Sequence, residues 1–298
     1  MKIILKYSWL IAAVVSVSAC DDNEIFGGKG QFYYSNPSTN TVKFKLDGKN
    51  YDILPDDKGV ILLSSGLHHL ENSQGDTTDF FVFENNSGGI INPSQFVYYT
   101  LSEVYAVEGK ENNFKPASYP IVINGQALNL PIRSSNSTVI DANLFRCTYP
   151  IGEKFPDSIT LHDHKLDGNI RSKCFDKIEL IKYMGDEYGV NLSPQNGYNG
   201  SLDSINMDFV YEVPKADFED PIVQQKAELL VQLVTQLKNA NDADIHKKLN
   251  TEFHQSFTEL VEAYTASSAS NTVSENVKYN NFIEKINSLR GNGIWLKK

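Results

Sequence analysis

The chain has 298 residues, enough for one large or two modest domains with real cores. It is 41% hydrophobic and 21% charged, a globular balance that excludes a disordered chain. With 27 basic against 37 acidic residues its formal charge is −10, which disfavours nucleic acid as a partner and favours a basic protein.

The first residues form an ordered series. Lys2 and Lys6 supply a positive start, residues 7–17 a short apolar run, and Ser18 and Ala19 small side chains before Cys20. This order reads as a secretory signal over 1–19, too short for a comfortable membrane span. Beyond residue 19 no apolar run approaches the roughly 20 residues a spanning helix needs. "VSAC" (17–20) resembles the lipobox of bacterial lipoproteins, with Val17 in the place of the usual leucine. The resemblance implies cleavage before Cys20, diacylation of its thiol and a membrane anchor on the periplasmic face. Asp21 and Asp22 are similar to the retention signal of such lipoproteins, which implies the inner membrane in preference to the outer. Two or more acyl chains, at about 0.8 kcal/mol per buried CH₂, make such an anchor stable. Residues 20–30, with three acids and three glycines, read as a flexible lipidated tether. Losing Lys2 and Lys6 with the signal leaves 25 basic against 37 acidic residues, a formal −12.

From 31 to 213 the pattern is β. Residues 41–54 alternate Val42, Phe44 and Leu46, turn at Asp47-Gly48 and resume with Tyr51 and Ile53, which predicts a hairpin. Residues 59–72 predict two short strands hinged at Ser65-Gly66. "FKLDGKNYDILPDDKGVILLSSGLHHLE" (44–71) resembles the PEGA-type β-module of bacterial envelope proteins: Asp47, Gly48 and Lys49 hold the turn, Gly66 and His68 the later motif. Ser65 stands where a proline often precedes that second glycine. The resemblance implies a small β-sandwich element and no catalytic activity. Residues 79–84 and 94–107 are aromatic and β-branched, with a loop-like 85–93 between them. In the second of these strands Tyr98 and Tyr99 are expected on opposite faces, one packing the core and the other free to form an aromatic binding surface. Residues 119–132 repeat the hairpin logic at Asn124-Gly125, and 176–184 and 204–213 read as further strands around a turn-rich 189–203. Many short strands between Gly/Asn/Pro turns predict a mainly antiparallel, sandwich-like region.

The character changes at Pro214. Asp220 is an expected N-cap with Pro221 at the first helical position, and 220–240, 242–267 and 274–293 carry apolar residues at steps of three and four. The expected fold class is therefore α+β: a β-rich domain over 31–213 followed by a three-helix region over 214–298.

With Cys20 committed to lipid, Cys147 and Cys174 remain, an even pair that in an oxidising compartment predicts a disulfide. Neither lies in a CxxC, so a redox role lacks its motif. "LHDHKLDGN" (161–169) is the densest polar cluster, and His162, Asp163, His164 and Asp167 are of types that suit a transition metal. The segment lacks the spacing of zinc frameworks, so solvated loop histidines are the expectation. Of His68 and His69 at most one can point inward on a strand; His246 and His254 are expected on a solvated helix face. There is no GxSxG elbow, Ser-x-x-Lys or phosphate-loop spacing, "GGKG" (27–30) included. No catalytic residue, metal ligand or cofactor is assigned. The reading is a non-catalytic, lipid-anchored periplasmic protein that binds a protein partner, in its specific form an immunity or inhibitor protein facing a basic toxin. The alternative is an envelope hydrolase or carbohydrate-binding protein with its site near His162–Asp167.

Overall fold

The structure is a computed structural model that describes residues 28–159, 167–194, 203–209, 212–267 and 271–297. Strand β1 (Gln31–Ser35) leaves the glycine turn at 28–30, and β2 (Val42–Leu46) and β3 (Lys49–Ile53) form the expected hairpin. Asp47 and Gly48 stand at φ +52° and +78°, the left-handed pair that a two-residue type I′ turn requires. The next two strands, β4 (Lys58–Leu62) and β5 (Gly66–Asn72), do not pair with each other. β4 runs antiparallel to β1, while β5 lies between β2 and β6 (Thr77–Val82). Residues 85–93, expected as a loop, contain β7 (Gly89–Ile91), which pairs parallel to β1. Gly89 permits that approach: a Cβ there would lie 2.6 Å from the Ile140 carbonyl oxygen and 2.7 Å from the Phe32 ring. There follow β8 (Tyr98–Ala106), β9 (Tyr119–Ile123), β10 (Gln126–Leu130), β11 (Ile132–Ser135), β12 (Val139–Asp141), the single-turn helix α1 (Ala142–Phe145) and β13 (Gly168–Phe175).

Two expected strands are corrected. Residues 177–188 form helix α2 (Lys177–Tyr188), not a strand. The alternation of Ile178 and Leu180 suggested a strand, but Asp176 caps the helix by accepting the Glu179 N–H, Gly189 closes it at φ +65°, and Leu180 and Met184 bury one turn apart. The stretch 204–213 is no strand in its described part: Ser204 N–H donates to the Val122 carbonyl, Met207 N–H to that of Ser134, and the Asn206 side chain holds both Ser134 N–H and the Ile132 carbonyl. Two isolated backbone bonds with side-chain bonds between them take the place of a ladder.

The C-terminal segment is helical as expected, with α3 (Pro221–Asn239), α4 (Ala243–Ser267) and α5 (Val273–Arg290). Asp220 caps α3 by accepting the Ile222 and Val223 N–H groups. Ile222, Ile245 and Val277, at the helix starts, are exposed rather than part of the buried stripes. After α5 an unanticipated strand, β14 (Ile294–Lys297), pairs with β6.

Strand alternation turns these elements into stacked layers. The sheets ordered β12-β7-β1-β4 and β14-β6-β5-β2-β3 enclose a core of Phe32, Ile61 and Ile91 against Phe44, Leu70 and Phe80, the sandwich. On the far side of the five-stranded sheet Trp295 packs into the helical core with Leu230, Phe253 and Ile286. On the far side of the four-stranded sheet Ile90 and Ile140 meet Tyr98 and Cys174 of a third sheet, β11-β8-β13. That sheet's other face packs Tyr99, Leu101 and Phe175 against the β9–β10 hairpin and α2. Tyr98 and Tyr99 are thus both buried, and the aromatic surface considered for one of them is absent. The described residues include no helix long and apolar enough to cross a membrane.

Cys147 and Cys174 form the expected disulfide, their Cα atoms 5.3 Å apart. Closing a loop of 27 residues contributes roughly 3 kcal/mol in the chain-entropy model. Chemical denaturation of a Cys147→Ser/Cys174→Ser double variant is therefore expected to show a loss of that size, and an unchanged midpoint would contradict it.

Candidate functional site

The face of β8 that buries Tyr98 continues outward with Thr100 and Ser102. Register sets Arg133 of β11 opposite Thr100, and Ser172 of β13 opposite Ser102. These side chains floor a cleft of about 570 Å³, within the size range of small-molecule sites. One wall is the segment running into β9, with Lys115 and Tyr119; the other is residues 143–148, with Asn143, Arg146 and Thr148. The disulfide builds this second wall, because Cys147 sits between Arg146 and Thr148 and pins both against β13. Asp141, the N-cap of α1, holds it from below: its carboxylate accepts N–H bonds from Asn143, Gly293 and Ile294 at 3.0, 2.7 and 3.2 Å. Burial outweighs those donors and pushes the Asp141 carboxyl up to about 7.

The electrostatics of the cleft oppose those of the chain. Lys115, Arg133 and Arg146 line it, and among the described residues no aspartate or glutamate does. Arg133 is half-buried, yet its partners are neutral. Nε and Nη2 donate to the Tyr119 hydroxyl at 3.3 and 3.0 Å, and Nη1 to the Leu144 carbonyl at 3.1 Å. Arg146 holds φ +55°, a left-handed position that glycine would occupy at lower cost. Thr100 is 3% exposed and its Oγ1 has no hydrogen-bond partner among the described residues. Arg171 borders the cleft; strand alternation sends its side chain to the opposite side from Ser172, where its Nε is buried without a partner.

No family model, curated protein or solved structure matches the chain.

A second feature lies at the sandwich edge. β4 ends the order β12-β7-β1-β4, with one side unpaired among the described residues. Ile61 enters the core, while Val60 and Leu62 are 48% and 74% exposed. Leu63 N–H donates to the Gly30 carbonyl, so this edge ends beside the glycine turn at 28–30.

The residues singled out from sequence fall in several places. Cys20, Asp21, Asp22, His162, Asp163 and His164 lie outside the described residues. Asp167 pairs with Lys110 at 3.7 Å, and the described residues include no group of three or more His, Cys, Asp or Glu able to hold a metal. His68 is buried, with Nδ1 2.7 Å from Asp47 Oδ2 and Nε2 2.8 Å from the Ser64 carbonyl oxygen; His69 is exposed beside Asp79. Asp47, the turn residue, also accepts the His69 N–H, so its carboxylate ties hairpin to strand. His254 is exposed as expected, but His246 is not. It is 4% exposed, stacks on Phe81 with ring centres 3.9 Å apart and faces the Ala240 carbonyl oxygen at 3.0 Å; burial lowers its pKa. Nothing in the sequence singles out Lys115, Arg133, Arg146 and Thr100, because they share no spacing and only the register of three strands and a disulfide assembles them.

Proposed function

We propose that the protein is a non-catalytic lipoprotein of the bacterial envelope, anchored through Cys20 at the periplasmic face, the inner membrane favoured by Asp21 and Asp22, and that its folded body binds a protein partner. The observation that carries the binding role is the β4 edge. Val60 and Leu62 project from a strand whose outer edge has no partner strand among the described residues, the surface on which an extended segment of another protein adds as a further strand. Main-chain bonds give affinity in that mode, and the two apolar side chains give selectivity. The chain's negative charge supports a basic partner, whose association it speeds. Blocking a basic, envelope-directed toxin is the specific form of the proposal.

The test has two arms. Labelled palmitate is expected to mark the parent and not Cys20→Ser, and only the parent should partition with membranes. A photocrosslinker at residue 62 is expected to capture one stoichiometric basic protein in envelopes. Val60→Lys with Leu62→Lys should abolish that capture and leave the melting temperature within about 2 °C, since both side chains already face water. Equal capture by the double variant sinks the β4 reading, and palmitate incorporation by Cys20→Ser sinks the anchor.

A further inference from the structure

We propose that the cleft over β8 is a binding site for a small polyhydroxylated ligand that carries an oxyanion, by class a uronate or a sugar phosphate. Three observations converge on it. The chain carries ten more acids than bases, yet Lys115, Arg133 and Arg146 line one cleft with no carboxylate among the described residues of its walls. None of the three forms an ion pair among the described residues. A half-buried guanidinium held by neutral acceptors alone, as Arg133 is, keeps its charge available and is unfavourable until an anion arrives.

Thr100 supplies the second, independent sign. Its hydroxyl is buried in the cleft floor without a partner, a loss that a ligand atom would repair. The third observation is the rest of the lining. Ser102 and Ser172 bond each other at 2.7 Å, and Ser87, Thr148 and Asn143 add further groups that both donate and accept. Neutral groups of that kind match ligand hydroxyls, while the cations match the oxyanion. The volume of about 570 Å³ suits a sugar-sized molecule and is far larger than a lone inorganic ion needs. This site lies on the third sheet, apart from the β4 edge, so the two proposals stand or fall separately.

Isothermal titration of the full chain in detergent, with glucuronate, glucose 6-phosphate, glucose and inorganic phosphate, tests it. At least one anionic sugar is expected to bind ten-fold or more tightly than both glucose and phosphate; which one binds separates carboxylate from phosphate recognition. Arg146→Gly places glycine where φ is already positive, and Lys115→Gln alters an exposed side chain, so each should preserve the fold and weaken binding at least ten-fold. Thr100→Val should weaken binding while leaving the free protein's melting temperature unchanged or raised, because no hydrogen bond is lost. Four equally weak titrations overturn the site, as does full affinity in Arg146→Gly and Lys115→Gln. Phosphate binding as tightly as the sugars reduces it to an ion site and overturns the polyhydroxyl ligand.

Discussion

Replacing Trp295 with alanine is expected to cost about 3–5 kcal/mol, among the largest effects of any single substitution in this chain. The side chain is 2% exposed and belongs to the helical core with Leu230, Phe253 and Ile286. Its strand neighbour Ile294 points the other way, into the sandwich core beside Phe80 and Val82. One short strand thus seals two cores, and β14 does so from the last residues of the chain, paired along β6 from Val82 to Asp79. Removing the indole leaves a cavity on the helical side and loosens the strand that closes the sandwich on the other. Thermal unfolding followed by circular dichroism at 222 nm should show the midpoint fall by about 10 °C for a body of this size. A loss below about 1 kcal/mol means that β14 is peripheral, contrary to its burial.

The local devices of this fold were legible in the sequence and its long-range assembly was not. Asp47-Gly48 and Asn124-Gly125 announce hairpins because positive φ at both turn positions is rare and residue-specific. Asp220-Pro221 announces a helix start for a similar reason. The cysteine pair followed from elimination. The signals failed where periodicity was ambiguous or where tertiary pairing overrode composition. The stretch at 176–184 fits a period of two through Ile178 and Leu180 and a period of four through Leu180 and Met184, and the Asp176 cap decides between them. Gly89, Ile90 and Ile91 sit in a turn-rich stretch, and pairing with β1 on one side and β12 on the other makes them a strand. His246 reads as a surface residue from its neighbours on the helix, but the ring it meets, Phe81, belongs to a strand 165 positions earlier. The basic cleft is the extreme case. Its cations come from a loop, a strand and the end of a one-turn helix, and no feature of the sequence around 115, 133 or 146 relates them.

Raising the pH from 5 to 8 is expected to withdraw a stabilising contribution that Asp141 makes in its protonated form. Burial lifts this carboxyl from an ordinary value of 3.8 to about 7 in the folded protein. The folded state therefore binds the proton more tightly than the unfolded chain does. The contribution is fully present below about pH 4 and is lost as the pH climbs through about 7, in total about 4 kcal/mol. Across the middle of that window the slope approaches about 1.4 kcal/mol per pH unit. His246 works against it: its lowered pKa favours the neutral ring in the fold, so its contribution grows as the pH rises from its folded toward its unfolded value and is complete above the latter. The informative quantity is consequently the difference between the parent and Asp141→Asn, measured by urea denaturation at several pH values. Asparagine does not titrate, and its amide nitrogen would confront one of the N–H donors of Asn143, Gly293 and Ile294. The variant should be clearly less stable than the parent at pH 5, and the two should draw together toward pH 8. Parallel curves across that range would show that Asp141 is ionised in the fold throughout, held so by its three N–H donors against the cost of burial.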